Sequence, residues 1–389
     1  MKYNTFGLII ASFFALSSFT GDAAGQGGPL DPTGPPGATM RSLYEVEPRT
    51  PLIDGASGVS SNDVNYEFVI SGTGSYYLTG NLDVTRTHGV AIQAEGVTLD
   101  LMGFSIRRTG GGAGGNAVEI DPKSDRCAIR NGAVTGGAIG FENGIEAIFS
   151  GGFPRNGSLS QLSVSGCTGR GISTGEGWQL QGCKAHDNPG TGIRGGTILT
   201  DCAAYGNGSD GFNIFVGSTV NNCSSRDNGG SGFFVSAGSS LLNCSATKNI
   251  ENGIEANSSS LENCTSRDND GDGFTANRGC AMINCSAQIN DGDGIELGSE
   301  CIVRGGAFED NQGAGIRVRS TGGNNRVDGN HVTGNLVGIE VESADNLIVR
   351  NSVSINTTNF NIVGGNTVGP TVTSANIAAS DNPHANYEF

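Results

Sequence analysis

One stripe of side chains in the sequence has the composition of a sugar-binding surface. Each member follows a Gly-apolar pair that recurs about every 21 residues, so the members should stack on the outer face of one sheet. Carboxylates, arginines and an aromatic ring alternate along the stripe, and together they can hydrogen-bond to a glycan and stack against it. The candidate binding residues are Arg194, Phe234, Glu255, Glu296, Arg317 and Glu340.

Two carboxylates of the stripe have a spacing that is also found in glycosidases. Glu255 and Glu296 are two repeats apart, which corresponds to about 9.6 Å along a stack of strands. Inverting glycosidases hold their two carboxyl groups about 6.5–9.5 Å apart. The alternative is a solvated sheet face, because many carboxylates of an acidic repeat chain are two repeats apart. The sequence therefore identifies no catalytic residue.

A run of aspartates in two successive turns indicates a calcium site. Asp alternates with Asn or Gly from Asp268 to Asp272, as at the start of a calcium-binding loop, and the next repeat has a similar run. Stacked carboxylates repel one another unless a cation lies between them. Ordinary Asp-Gly turn chemistry is the alternative, since Gly279 stands where such a loop has its bidentate Glu. The expected Ca²⁺ ligands are Asp268, Asp270, Asp272, Asp291 and Asp293.

An internal repeat of about 21 residues defines the elements that would position these side chains. Leu241 begins one such frame, which continues with Cys244, Asn249 and the Gly253-Ile254 pair, and the next two repeats have the same frame. The first apolar residue of the frame falls on Leu101, Ile129, Leu159, Leu180, Leu199, Val220, Leu241, Leu261, Met282, Val303, Val327 and Ile348. An Asn follows eight positions later at Asn188, Asn207, Asn228, Asn249, Asn269, Asn290, Asn311, Asn335 and Asn356.

This period predicts an all-β right-handed parallel β-helix, a solenoid of about twelve coils. Three short apolar patches per repeat, separated by Asn, Gly and Asp, correspond to three strands and three turns. One repeat cannot bury its own apolar face, so successive coils must stack about 4.8 Å apart. Asn and Gly at fixed positions are expected to supply left-handed backbone in the turns. The spaced leucines of leucine-rich repeats are absent.

The ten cysteines follow the same register. Six occupy the third position after the first apolar residue in successive repeats, and Cys280 and Cys301 form a second pair. Stacked Cβ atoms about 4.8 Å apart do not suit a disulfide, which needs about 3.5–4.5 Å. We expect a mostly reduced internal ladder of thiols that act as small apolar fillers. One or two strained disulfides are the alternative.

The two ends of the chain give the predicted domain organisation. Residues 1–25 have the form of a signal peptide, with Lys2 before an uncharged run, Phe6 to Phe19, that is too short to span a bilayer. A Gly/Pro-rich linker and opening segment at 26–50, a β-helix domain at 51–365 and a C-terminal capping tail at 366–389 follow. We expect a secreted or extracytoplasmic (cell-envelope) protein without a membrane span.

Composition narrows the function classes. Gly accounts for 65 of 389 residues, which disfavours a helical protein, because Gly costs about 1 kcal/mol per helical position relative to Ala. A formal net charge of −16 makes nucleic acid a poor partner. The same charge means that an acidic glycan would need a calcium bridge or a local basic patch in order to bind.

The coil pattern resembles that of the secreted right-handed parallel β-helix repeat proteins. The segments Gly74–Asn81 and Gly96–Gly103 are similar to the first coils of many of them, and the start at Pro48–Pro51 is similar to one exported bacterial subgroup. The resemblance implies the fold that pectate lyases, polygalacturonases and adhesins share. It carries over no catalytic residue.

We therefore expect an exported protein that binds extracellular or envelope polysaccharide. Longer steps before Ile129 and Leu159 imply inserted loops, which often wall a groove. Cleavage of the glycan stays open; an enzyme of this kind would be a polysaccharide lyase or a glycoside hydrolase. The alternative is a non-catalytic structural or adhesive surface protein whose solenoid is a stiff rod. The sequence leaves monomer and trimer open.

Overall fold

Strands dominate residues 49–110, 114–137, 140–150 and 152–389, which a computed structural model describes. The chain divides into two units, Met1–Val46 and Glu47–Phe389, and the second contains all of these residues. The signal predicted at 1–25, and all but the last two residues of the segment predicted at 26–50, lie outside them. No helix within the described ranges is long and apolar enough to cross a membrane. A short 3₁₀ helix is found at Ile377–Ala379.

One sheet, here called sheet B, receives a single strand from each coil. Within the described residues it has 15 strands, and all but the antiparallel Val59–Ser60 run parallel, which gives about 14 coils, numbered from the N-terminal end. The 14 parallel strands are Tyr66–Ile70, His88–Ile92, Asn116–Ile120, Asn143–Ala147, Ile172–Ser173, Ile193–Arg194, Phe212–Ile214, Phe233–Val235, Ile254–Ala256, Phe274–Arg278, Ile295–Ser299, Ala314–Gly323, Val337–Val341 and Thr358–Ile362.

A second sheet, here called sheet A, receives two strands from each regular coil. A bend at the cysteine position separates the two strands, so each regular coil has three strands, as predicted. The strands of sheet A are Thr50–Pro51, Gly74–Tyr77, Leu82–Val84, Val97–Asp100, Ser105–Arg108, Ala128–Thr135, Ser158–Ser165, Gln179–Gln181, Lys184–His186, Ile198–Thr200, Ala203–Tyr205, Thr219–Asn221, Ser224–Arg226, Ser240–Leu242, Ser245–Thr247, Ser260–Glu262, Thr265–Arg267, Ala281–Ile283, Ser286–Gln288, Ile302–Arg304, Ala307–Glu309, Arg326–Asp328, His331–Thr333, Leu347–Val349, Ser352–Ser354, Thr367–Val368, Thr371–Thr373 and Asn386–Glu388.

The structure confirms the parallel β-helix, with about 14 coils where the sequence predicted about twelve. The additional coils lie at the ends, where the repeat is least regular: Tyr76 precedes the first predicted register and Val368 follows the last one. The first repeat is also misplaced by two residues in the prediction, because Leu99 rather than Leu101 pairs with Ile129. From that point on, each predicted neighbour pair is in register.

A ladder of buried Asn side chains occupies the turn that leads from sheet A into sheet B. From Asn188 to Asn356, each Nδ2 donates to Oδ1 of the Asn one coil further on, over 2.8–3.0 Å. The same Oδ1 also accepts a backbone N–H, as from Asn249 to Asn269 at 2.9 Å. Only an amide side chain both donates and accepts in this way, which explains the recurrence of Asn.

A glycine precedes most sheet B strands, and the prediction that such glycines supply left-handed backbone does not explain it. A Cβ on Gly253 would lie 2.6 Å from the Gly273 carbonyl oxygen and 2.8 Å from Asn269 Nδ2, which is too close. Gly253 does not have a positive φ, whereas residues just before the ladder do, such as Lys248 and Asp268 at 56° and 57°. The prediction that glycine supplies left-handed backbone is therefore wrong for this column, where close approach of the next coil excludes a side chain.

All ten cysteines are buried and free, which confirms the reduced ladder. Nine of the thiols contact backbone carbonyls of the same or the preceding coil, as Cys264 Sγ does with Glu262 O at 3.5 Å. Further along the stack the cysteine position becomes Asn330 and Asn351, which are joined by a 3.0 Å bond from Nδ2 to Oδ1. Asn386 of the C-terminal tail accepts the next bond of this ladder, also at 3.0 Å.

Candidate functional site

The predicted stripe is a continuous column on the outer face of sheet B. Its members alternate with core residues, as Glu255 does with the buried Ile254 and Ala256. Strand pairing aligns one member from each of coils 3–14 with the next. In order, the column contains Glu119, Glu146, Ser173, Arg194, Asn213, Phe234, Glu255, Thr275, Glu296, Arg317, Glu340 and Asn361.

Glu119 and Glu146 extend the column beyond the residues that the sequence singled out. The signal for them was present, since each follows a small residue and a buried apolar residue, as most other members do. The irregular steps before Ile129 and Leu159 break the 21-residue spacing and conceal it. The two glutamates lie on adjacent strands, and Glu146 pairs in register with Glu119.

Glu119 is surrounded by hydrogen-bond donors. Tyr66 Oη donates to Oε1 at 2.6 Å and Asn116 Nδ2 donates to Oε2 at 2.9 Å. His88 Nδ1 lies 3.1 Å from the same Oε2. Burial alone would raise the pKa of Glu119, but the hydrogen bonds from His88, Tyr66 and Asn116 lower the pKa below its ordinary value. Glu119 is therefore a carboxylate across the neutral range.

Glu146 has the opposite environment. Burial raises the pKa of Glu146 to about 7, and the charges of Arg170 and Arg194 offset only part of that rise. Ser173 Oγ donates to Oε1 at 3.2 Å. Oε2 is shielded from solvent and has no hydrogen-bond partner within the described residues. Glu146 therefore keeps its proton up to a pH near 7.

Two arginines form a basic patch beside Glu146. Arg170 and Arg194 both stabilise its ionised form electrostatically. Burial, and then the charge of Arg170, lowers the pKa of Arg194. Arg194 also lies over the ring of Phe215, 5.0 Å from its centroid. This part of sheet B therefore has two basic side chains that act on Glu146.

An aromatic wall stands next to the basic patch. Phe153 packs against Phe149 and Phe215, with ring centroids 5.0 and 6.2 Å apart. Phe149 leaves 65% of its surface exposed, so the wall presents an aromatic face to solvent. The same loop is anchored by Trp178, which is fully buried and donates Nε1–H to Pro154 O at 2.7 Å. Trp178 is therefore a packing residue.

Depressions lie on both sides of the Glu119–Glu146 pair. One has a volume of about 700 Å³ and includes residues of the loop after coil 4, in agreement with the expected groove wall. Its lining residues are Gln93, Asp121, Pro122, Lys123, Ile148, Ser150 and Gly152. The other, of about 350 Å³, is lined by Glu142, Asn143, Gly169, Arg170, Gly190, Thr191 and Ser209. The pair is thus located between two recesses that are open to solvent.

The C-terminal half of the column has a different character, because its carboxylates already have partners. Thr275 lies between Glu255 and Glu296, so these two residues are two coils apart, as expected. Glu296 is ion-paired with Arg319, and Glu255 Oε1 accepts a bond from an Asn side chain at 3.2 Å. Phe234 separates this half from Arg194 and is 39% exposed.

Arg317 connects three carboxylates in this half. Its Nη2 lies 2.7 Å from Glu342, its Nη1 lies 3.7 Å from Asp293, and its Nε lies 3.8 Å from Glu340. Hydrogen bonding to Glu342 raises the pKa of Arg317 above its ordinary value, and burial opposes that rise. One guanidinium group faces three carboxyl groups, so Arg317 is occupied by its own neighbours and is not free to bind an anionic ligand.

The structure brings together only two of the five aspartates predicted to bind calcium. Carboxylate oxygens of Asp272, Asp293 and Glu296 lie within 4.8 Å of one another. The backbone N–H of Asp293 donates to Asp272 Oδ1 at 2.8 Å. Burial raises the pKa of Asp272, and burial together with the charge of Asp272 raises the pKa of Asp293 to about 6.

The other three aspartates do not join this group. Asp268 pairs with Lys248 at 3.7 Å, and its backbone has a positive φ of 57°. Asp270 and Asp291 are exposed, and Asp291 accepts a hydrogen bond from Gln312. Of the five predicted ligands, only Asp272 and Asp293 are therefore close together. Glu296 completes this trio, and Arg317 lies next to Asp293.

Calcium binding at this trio stays a prediction. A cation near Asp293 would neutralise the three carboxylates in place of a proton or of Arg317. Calcium prefers carboxylate oxygens as ligands. We expect millimolar calcium, relative to excess chelator, to raise the melting temperature of the wild type but not of Asp293→Asn. Glu262→Gln, an exposed change on sheet A, is the control and should respond as the wild type does. Equal melting temperatures in calcium and chelator would remove calcium from this account.

The chain belongs to the family described as the right handed beta helix region, which matches residues 106–261 and 255–383. This match confirms the predicted handedness. No curated protein matches the chain.

Solved structures that are similar to the chain include alginate epimerases. The A-module of mannuronan C-5 epimerase AlgE6 from Azotobacter vinelandii is 18% identical, with a TM-score of 0.56 over 77% of this chain and 91% of that chain. The AlgE4 A-module from the same organism is 16% identical, with a TM-score of 0.49 over 76% and 91%. The periplasmic alginate epimerase AlgG is 12% identical, with a TM-score of 0.32 over 85% and 78%. At these identities the likeness concerns the fold alone.

Proposed function

We propose that the protein binds an anionic polysaccharide along the outer face of sheet B, across coils 3–6. One observation carries the proposal: Arg170 and Arg194 both act electrostatically on Glu146, which is protonated up to a pH near 7, and Arg170 lines one of the two recesses beside this part of the column. This arrangement supplies the local basic patch that an acidic chain needs to hold an acidic ligand. Carboxylates of a polyuronate would bind the two guanidinium groups with charge-assisted hydrogen bonds.

Aromatic rings supply the second component of this binding surface. Phe149 is 65% exposed on the wall, and Phe234 is 39% exposed two coils beyond Arg194. Rings in such positions stack against the apolar faces of sugars, while neighbouring polar groups fix their orientation. Mannuronan, after which the epimerase AlgE6 is named, is a polyuronate and therefore has the charge that this surface favours.

We also propose that the glycan is extracellular or part of the cell envelope. The support is the signal-like segment at 1–25, in which Lys2 precedes an apolar run of the length found in signal peptides. Polyuronates and related acidic glycans are found outside the cytoplasm, so an exported binder and its ligand would share a compartment.

Binding measurements on arginine variants test the proposal. Polymannuronate, polyguluronate and polygalacturonate are titrated into the wild type, with dextran as the uncharged comparison. We expect at least one polyuronate but not dextran to bind, and Arg170→Ala or Arg194→Ala to weaken binding about tenfold, since each removes a charge-assisted hydrogen bond. Arg267→Ala on the exposed face of sheet A is the matched control.

Two results would contradict this function. If Arg170→Ala, Arg194→Ala and Arg267→Ala all bound the same polyuronate as the wild type does, the binding surface would lie elsewhere. If no glycan bound, the non-catalytic rod would become the better description of the protein.

A further inference from the structure

We propose that a second copy of this chain docks on the C-terminal end of the stack, where the last strand of sheet B pairs antiparallel with its equivalent. The docking surface, here called the end face, is Thr358–Val368. The inference goes beyond the proposed function, because neither the glycan nor its binding surface takes part in this contact.

The last strand of sheet B has an unpaired edge. Thr358–Ile362 pairs with Val337–Val341 of the coil before it, and no strand pairs with its other edge over the part of the chain that the structure describes. The C-terminal tail closes sheet A instead, where Asn386–Glu388 pairs with Ser352–Ser354. One side of the last sheet B strand thus presents backbone N–H and C=O groups without a strand partner, and such an edge readily pairs with another chain.

Side chains on the end face do not protect this edge. Proteins usually blunt an open edge with charged residues, proline or a bulge, and Thr358–Ile362 has none of the three. Phe360 and Ile362 are only partly buried where they pack against the core, and Val363 and Val368 beside them are exposed. A second copy on the end face would remove these apolar side chains from water.

Charge makes a second copy the best-fitting occupant. The formal net charge of −16 means that two copies repel each other over most of their surface. No Asp, Glu, Lys, Arg or His occurs between Arg350 and Asp381, a segment that includes the whole end face. Glu388 lies at its margin, where Asn359 Nδ2 donates to Oε1 at 3.1 Å. A basic partner would need acidic groups here, whereas a second copy needs only the same uncharged surface.

Two features exclude a head-to-tail stack and leave a two-fold contact. At the N-terminal end, the first parallel strand of sheet B, Tyr66–Ile70, is already paired with the antiparallel Val59–Ser60. At the end face, Asn359 stands where the preceding coil has Gly338, whose Cβ would lie 2.5 Å from the Asn359 carbonyl oxygen. A further parallel coil would therefore meet the Asn359 side chain. An antiparallel pair about a two-fold axis instead uses the open part of the strand, from Phe360 onward, in both copies.

Pairing of this kind would join the two copies of sheet B into one continuous sheet. A two-fold axis perpendicular to that sheet keeps both outer faces on the same side of the rod. The two glycan-binding surfaces, each about ten coils from the contact, would lie roughly 100 Å apart by the coil spacing. One long polysaccharide would then engage both at once, which raises affinity without a new contact. This consequence, unlike the dimer itself, rests on the proposed function.

Sedimentation equilibrium of the protein measures the assembly directly. We expect the mass of two chains, which falls to that of one chain on dilution. Val363→Lys places two uncompensated positive charges in the contact and should raise the dissociation constant of the dimer at least about tenfold. Val64→Lys, the same change at an exposed valine near the N-terminal end of the stack, is the matched control and should sediment as the wild type does.

Hydrogen exchange of the wild type gives a readout that does not depend on a variant. Amides of the end face should exchange more slowly in concentrated than in dilute solution, because strand pairing gives them acceptors. Slow exchange at every concentration would mean that the chain itself covers this edge, and the proposal would be wrong.

Other outcomes would also overturn it. A single-chain mass at high protein concentration would remove the dimer, and masses that grow beyond two chains would indicate a head-to-tail stack. Equal dissociation constants for the wild type and Val363→Lys, or an equal loss of dimer in Val64→Lys, would place the contact elsewhere. Absence of glycan binding by an intact dimer would instead refute the proposed function alone.

Discussion

Replacement of Asn269 by Ala should destabilise the solenoid by about 3–5 kcal/mol. Asn269 Oδ1 accepts two bonds from Asn249, one from its backbone N–H at 2.9 Å and one from Nδ2 at 3.0 Å. Its own Nδ2 donates to Ser266 Oγ and to Asn290 Oδ1, both at 2.9 Å. Alanine would leave two donors of Asn249 buried without acceptors, and each such loss costs about 1–3 kcal/mol.

The effect should be local as well as large. Stability in a solenoid depends on contacts between neighbouring coils, so the interface between the coils of Asn249 and Asn269 should open first. We expect a lower calorimetric melting temperature and faster hydrogen exchange at the Asn249 amide. Thr265→Ala, an exposed change in the same coil, is the control. A melting temperature for Asn269→Ala equal to that of this control would show that the ladder does not stabilise the stack.

Glu146→Gln should stabilise the protein at alkaline pH relative to the wild type. In the folded protein the pKa of Glu146 is raised from 4.5 to about 7. Between these values the unfolded chain has lost this proton and the native state has not, so the free energy of unfolding falls as pH rises. Gln cannot ionise in either state. The stability of Glu146→Gln relative to the wild type should therefore grow by about 2–3 kcal/mol between about pH 4 and about pH 8.

The comparison of melting temperatures at the two pH values checks this prediction. Titration of all other groups affects both proteins alike, so the difference between them isolates Glu146. Glu262→Gln is exposed and should show no such growth. A difference that stays constant or shrinks as pH rises would mean that burial does not hold Glu146 in its neutral form.

Most of the fold was predictable, because the features that build it recur at a fixed period. The Asn ladder and the buried thiols each repeat one side chain in successive coils, so a local contact appears in the sequence as a spacing. Gly253 illustrates the limit of this reasoning. Its recurrence was visible, but its cause, the approach of the Gly273 carbonyl from the next coil, is a contact that only the stacked structure shows.

The candidate site was predictable only in part. Arg194 belongs to both the predicted stripe and the basic patch, whereas Glu119, Glu146 and Arg170 lie in coils where inserted loops disturb the period. Arg317 and Glu340 were chosen for their charge, yet they form ion pairs within the network. Charge type and spacing are visible in a sequence, but pairing and burial decide whether a charge is free for a ligand.

The structure of a complex with a uronate oligosaccharide is the most direct test of the central claim, that coils 3–6 of sheet B form the binding surface. We predict that the sugar lies across Glu119 and Glu146, with its carboxylates on Arg170 and Arg194. A ligand bound to sheet A, or to the ion-pair network around Arg317, would contradict the claim.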